Sequence, residues 1–173
     1  VTQLYKDGKL AAGSVVFKNV LYTAGDVSKG LVEHEGTYYN NGKLANGELD
    51  GAEFTNGVMT ATKEVVALKK ATAETAKAEK ALTDAVATKD AAKIEEAAQA
   101  LVAQAATQAA AAKEVAEKAT TTAGVESAQA AIKAATQSGE TAVEAAKAAG
   151  KTVDVKALDA AVEAATKAVD ANE

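Results

Sequence analysis

Few side chains in this sequence are equipped for chemistry, and their positions narrow what the chain can do. The single histidine, His34, stands in Glu33-His34-Glu35. An imidazole works as a base or ligand only with partners at hydrogen-bond reach. One histidine supplies neither a His pair for a metal nor a triad with a choice of base, so His34 reads as a surface residue on a strand or turn. Tyr5, Tyr22, Tyr38 and Tyr39 are the candidate ligand-binding residues. They form either a row of rings for stacking on sugars or the hydrophobic spine of short strands, and the spine is the simpler reading. Alternation across a strand sends one ring of the Tyr38-Tyr39 pair to the opposite face, so a single exposed tyrosine is expected. Asp7, Asp26, Asn40, Asn41 and Asp50 carry oxygens, but calcium needs about six to eight that converge. No calcium-loop spacing is present, and they read as turn formers. No metal, no cofactor and no catalytic set is expected, and an enzyme would have to be built around His34 alone.

Composition points the same way. There is no Cys, which excludes disulfides and thiolate chemistry. All 19 cations are Lys, with no Arg, against 24 acidic residues and a net charge of −5. Arg is the preferred side chain for bidentate phosphate recognition, and no basic cluster marks a nucleic-acid partner. The most apolar run, residues 97–112, is interrupted by Gln99, Gln104, Thr107 and Gln108 and does not read as a membrane span. No phosphate-loop motif occurs.

The elements that position these residues fall into two regions of different chemistry. All six aromatic residues and nine of the twelve glycines lie within the first 57 residues. From Thr60 onward, 41 of 114 residues are alanine. A boundary near residue 59 follows. The first region repeats with a period of 17: Tyr5, Tyr22 and Tyr39; Gly8, Gly25 and Gly42; Leu10, Val27 and Leu44; Gly13, Gly30 and Gly47; Val15, Val32 and Leu49. Phe54 to Met59 reads as a fourth, truncated copy shifted by two residues. Asp7-Gly8, Asn41-Gly42 and Asn56-Gly57 are type I′ hairpin signals. Each 17-residue unit is expected to form one hairpin plus its link, with Gly30 turning the chain into Leu31-Val32-Glu33. Stacked hairpins would gather the Tyr, Leu and Val columns into a thin apolar strip. A lone hairpin is barely stable in water and repeats need neighbours, so the segment is expected to be a piece of a longer array.

The pattern Tyr-x-x-Gly-Lys-Leu-Ala-x-Gly resembles the short tandem repeats of Gram-positive surface proteins, including adhesins and S-layer-associated proteins. In rhythm it is also similar to choline-binding and related cell-wall-binding hairpin repeats, whose tryptophan cages hold the ligand; this sequence has no Trp. The resemblance spans residues 4–59. It implies an extracellular, secreted, cell-surface or cell-wall setting, with other surface components or self-assembly as partners.

The alanine-rich region follows helical spacing. Candidate seams are Val65, Leu68, Thr72, Thr75, Glu79, Leu82 and Val86; Ile94, Leu101, Ala105, Ala112, Val115 and Ala119; Val125, Ala128, Ile132, Ala135, Ala142, Ala146 and Ala149; and Val155, Leu158, Val162, Ala165 and Val169. Thr88-Lys89-Asp90 offers a turn and cap, Gly124 and Gly150 suit helix ends, and Asp154 suits an N-cap. Ser138-Gly139 could kink or divide the third helix. Helices near 60–87, 90–121, 125–149 and 154–171 are expected, with Glu114–Lys118 and Glu163–Lys167 as i,i+4 pairs.

The expected fold is α+β: a β-hairpin repeat module over residues 1–59, then an Ala-rich antiparallel three- or four-helix bundle over 60–173. The expected function is a non-catalytic spacer or assembly segment of a bacterial cell-surface protein such as an S-layer protein or adhesin. The alternative is a cell-wall or host glycan-binding module that uses the repeat tyrosines.

Overall fold

A computed structural model describes residues 2–172. The chain is α+β, with eleven short strands followed by four helices, and it parts into two compact bodies between Val66 and Ala67.

The first body is a series of antiparallel meanders. Strands β1 (Tyr5–Lys6) and β2 (Lys9–Leu10) make a two-stranded hairpin. Three three-stranded sheets follow: β3 (Ser14–Phe17), β4 (Val20–Thr23) and β5 (Asp26–Val27); β6 (Leu31–His34), β7 (Thr37–Asn40) and β8 (Lys43–Leu44); β9 (Gly47–Leu49), β10 (Ala52–Thr55) and β11 (Val58–Ala61). Each period therefore holds two hairpins, not one hairpin and a link. The expected turns at Asp7-Gly8, Asn41-Gly42 and Asn56-Gly57 are present, both residues of each at positive φ. Lys18-Asn19, Ala24-Gly25, Glu35-Gly36 and Asp50-Gly51 adopt the same left-handed pair. Lys18-Asn19 does so without glycine, because Asn tolerates that region.

The two-residue shift of the last copy now has a cause. The link to the first turn of the meander runs from Gly30 to Gly36 in one repeat but only from Gly47 to Gly51 in the next. The link is two residues shorter, which puts Phe54 in the Tyr5, Tyr22, Tyr39 column, three places before the turn glycine Gly57.

Successive meanders are joined by one recurring contact. The amides of Leu4, Leu21 and Tyr38 donate to the carbonyls of Gly25, Gly42 and Gly57, at 2.7, 2.8 and 2.7 Å. Beside each bond, the apolar residue two places after one turn glycine lies against the turn glycine of the next repeat. A Cβ on Gly25 would stand 2.7 Å from Leu10 Cδ2, one on Gly57 would stand 2.8 Å from Leu44 Cδ2, and one on Gly42 would overlap Val27 Cγ1. These glycines thus meet two demands, a left-handed backbone and a missing side chain.

The second body is a bundle whose successive helices alternate in direction: α1 (Lys63–Thr88), α2 (Ala91–Lys118), α3 (Thr122–Ala148) and α4 (Lys156–Asp170). Alanine has the highest helix propensity, which lets so many residues with small apolar surface hold helices of up to 28 residues. The break between α1 and α2 falls at the expected place: Lys89 takes φ 58°, and Asp90 caps α2 by accepting from the amides of Ala92 and Lys93. Gly150, at φ 71°, ends α3, with the Lys151 amide reaching back to the Ala146 carbonyl at 2.8 Å.

Three expected positions differ in the structure. Gly124 lies inside the first turn of α3, and Thr121 is the cap, its hydroxyl accepting from the Gly124 amide. The N-cap position of α4 is Val155, which makes no side-chain cap; Asp154, one place earlier, still accepts from the Lys156 amide through Oδ1 at 2.9 Å, and its backbone is held by Gln99, which donates to its carbonyl and accepts from its amide. Ser138-Gly139 neither kinks nor divides α3 but sits in its buried stripe, where a Cβ on Gly139 would overlap Leu158 Cδ2.

The core of this body gathers Leu82, Ile94, Leu101, Val102 and Leu158 among fully buried alanines such as Ala98, Ala105, Ala135, Ala142 and Ala146. In α1 the buried seam is Leu68, Ala71, Thr75, Leu82 and Ala85, while Thr72, Glu79 and Val86 are exposed. Leu68, Thr75 and Leu82 thus keep the expected seam, while at the alternate positions the buried residue stands one place earlier, Ala71 for Thr72 and Ala85 for Val86, because the interface takes the smaller methyl. Within the core, Gln108 is 2% exposed; its amide nitrogen donates to Thr72 Oγ1 at 3.3 Å, and its oxygen has no partner among the described residues. On the surface Lys167 hydrogen-bonds Glu163 at 2.6 Å, which holds the Glu163 carboxyl below the usual glutamate range and the lysine above its own. The pair thus stabilises α4 above the ordinary glutamate range, and this is lost as pH falls through the lowered Glu163 value.

Two outcomes are expected. Gly42→Asn keeps a left-handed residue but drives a Cβ into Val27, and it destabilises the repeats by about 1–3 kcal/mol. The same change at Gly8, with nothing within 4 Å, costs below about 1 kcal/mol; denaturation followed by tyrosine emission reads both, since every tyrosine lies in the repeats. Gln108→Leu removes a buried acceptor that lacks a partner and raises bundle stability by roughly 1 kcal/mol, seen as a higher helical melting temperature by circular dichroism.

Candidate functional site

The candidate tyrosines occupy three different settings. Tyr22 and Tyr39 are each 6% exposed, in the middle strands β4 and β7. Tyr38 is half-buried and tilts against Phe54 with ring centroids 5.1 Å apart. Tyr5 is 58% exposed, and its hydroxyl donates to Gln3 Oε1 at 3.1 Å. A single tyrosine is thus well exposed, but it is Tyr5 and not a member of the Tyr38-Tyr39 pair. The alternation argument fails because middle strands are buried on both faces: Leu21 and Tyr22 are adjacent, at 0% and 6%. Tyr38 stands in the column of Leu4 and Leu21, whose amides carry the contact between repeats.

The oxygen-bearing residues shape turns and bridge strands. Asp7, Asn41 and Asp50 take positive φ in first turn positions. Asn41 Oδ1 accepts from the Gly30 amide, and Asp26 Oδ1 accepts from Gln3 Nε2 at 2.9 Å, a bridge between repeats. Asn40 lies in β7. Among the described residues no group of three or more His, Asp or Glu comes together to hold a metal ion. His34 is half-buried at the end of β6, opposite Thr37 of β7, with Nε2 4.0 Å from the exposed Glu35 carboxylate.

Two columns that organise the repeats were legible at the same period and were passed over because their residue types vary. One is Leu4, Leu21 and Tyr38. The other is Ala11, Ser28 and Ala45, all buried, whose amides donate to the carbonyls of Leu4, Leu21 and Tyr38 in turn, at 2.9 Å each. Ser28 adds a hydroxyl contact of 2.6 Å to Thr23 Oγ1.

The bundle carries a groove of about 360 Å³ between α3 and α4. Gly139, Val143, Leu158 and Val162 form its apolar floor, and Glu140, Glu144 and Asp159 its acidic rim. No helix among the described residues is long and apolar enough to cross a membrane.

Compared with protein-family models, with curated proteins and with solved structures, the chain matches none.

The burial pattern sets the expected effect of ring removal. Tyr39→Ala costs about 3–5 kcal/mol, the range for deleting a core aromatic, whereas Tyr5→Ala stays within roughly 0.5 kcal/mol; chemical denaturation of the two variants distinguishes a spine from a row of ligand rings.

Proposed function

We propose that the chain is a non-catalytic structural segment, a spacer and assembly module, of a bacterial cell-surface protein. The observation that supports this reading is the recurrent junction of one backbone hydrogen bond and one apolar side chain on glycine, three times at 2.7–2.8 Å. A junction made of backbone and methyl groups recognises only another unit of the same shape. It transmits position from repeat to repeat without any group that could bind or turn over a substrate. The bundle suits the same role, because its stability is spread over many alanine contacts and surface pairs such as Lys80–Asp84 at 2.9 Å and Lys113–Glu117 at 3.0 Å. The Tyr-x-x-Gly-Lys-Leu-Ala-x-Gly resemblance to Gram-positive surface repeats, of adhesin and S-layer type, supports the location.

A second reading, binding of cell-wall or host glycan, rests on Tyr5, the one well-exposed tyrosine among the described residues. It predicts retention on peptidoglycan that Tyr5→Ala abolishes.

Antibody raised against the chain is expected to label intact cells that express it. Labelling that appears only after the cells are broken would remove the surface location.

A further inference from the structure

Among the described residues the two ends of the repeat series differ. At the far end, β11 runs for four residues where β5 and β8 run for two, and Glu53 is paired with Ala61 across a bulge. Glu53 stands one place before Phe54, where Leu21 and Tyr38 stand before their ring residues. The chain leading into α1 therefore covers the position that a following repeat would take.

At the near end nothing equivalent is present among the described residues. The hairpin β1–β2 lacks the first strand that β3, β6 and β9 supply to the other meanders. Consequently β1 is paired along one edge, and only over Tyr5 and Lys6. Gly8 holds the turn position of Gly25, Gly42 and Gly57, at φ 76°, but open space lies where each of those meets a Leu or Val side chain. Tyr5 and Leu10 are 58% and 46% exposed, whereas Tyr22 and Tyr39, in the same column as Tyr5, are 6%.

We propose that the free edge of β1 together with the Asp7-Gly8 turn is a docking site for a further copy of the chain's own 17-residue repeat. The inference deepens the assembly reading above and rests on it for its use. The docked repeat lays a four-residue strand along β1, as β3 lies along β4 with Val15 opposite Tyr22. It directs a backbone amide to the Gly8 carbonyl, as Leu4 does to Gly25 and Leu21 to Gly42. It also seats a Leu or Val side chain on Gly8, as Leu10 sits on Gly25 and Val27 on Gly42. The register is fixed by the existing junctions: the amide comes 21 positions before its glycine and the side chain 15 positions before. A strand slipped by one residue presents the wrong face, so the site selects for register as well as composition.

The test replaces Val1-Thr2 of the full chain with a copy of residues 20–36. This puts the copied Leu21 and Val27 at those two distances from Gly8 and ends on the Glu35-Gly36 turn. Hydrogen exchange followed by NMR is expected to show the copied Leu21 amide slowed at least about tenfold relative to a control with one extra residue before Gln3, and the Gly8 and Tyr5 signals shifted. Gly8→Asn in the in-register chain keeps a turn that Asn19 already adopts here but fills the space; it is expected to return the copied amide to the control rate. A copied segment that exchanges like a free peptide in register, while the rest of the spectrum is unchanged, overturns the proposal. So does an unextended chain that sediments as a dimer dissociated by Gly8→Asn, which assigns the face to a second whole copy. A protected copy with intact cells unlabelled keeps the docking and removes the surface location; an unprotected copy with labelled cells does the reverse.

Discussion

The meanders depend on one close approach, an apolar side chain resting on a glycine with left-handed backbone. Val27 over Gly42 shows why both properties are needed. The turn demands positive φ, which most side chains resist, and the neighbouring repeat occupies the space that any Cβ would fill. With that approach made, the amide of Leu21 comes within 2.8 Å of the Gly42 carbonyl. Otherwise isolated three-stranded sheets then become a continuous stack that buries Leu21, Tyr22 and Tyr39. Without it each meander would be a small sheet with both faces in water, which is marginal.

The helical body solves a related problem with a different small residue. Alanine methyls bring little apolar area, at roughly 25 cal/mol per Å², so the stability of any one contact is low and close approach of the axes must make up for it. Gly139 against Leu158 is the extreme case, a position where even a methyl is too large. Gln108 and Ser138, buried on facing helices, tie the seam to α1 through Thr72 and Glu79. Such polar groups cost stability but distinguish one register from the next in a stripe of near-identical alanines. Both bodies thus rely on what side chains omit, and the reactive inventory is correspondingly small.

Several features were legible in the residues alone. The period of 17, the turns at Asp7-Gly8 and Asn41-Gly42, the four helices and the break at Lys89-Asp90 all depend on local backbone preference. They hold whatever the rest of the chain does. Glu163–Lys167 is visible for the same reason, being two residues one helical turn apart. The tyrosines read more simply as the spine of the strands than as a row of rings for sugar, and Tyr22 and Tyr39 are buried as a spine requires.

What stacking and packing decided could not be read from local pattern. Two-sided burial of a middle strand requires neighbours above and below, so the well-exposed tyrosine proved to be Tyr5, in the two-stranded hairpin, and not Tyr38. The seam of α1 required knowing that the facing helix stands near enough to choose Ala71 and Ala85 over Thr72 and Val86. The Asp154 backbone is fixed by Gln99, 55 residues earlier, a contact no local pattern reveals. Sequence by itself determined the turns, the period and the helices, because φ preferences and propensities act over a few residues. Tertiary structure alone decided which faces are covered, because burial depends on segments that the chain brings together from far apart.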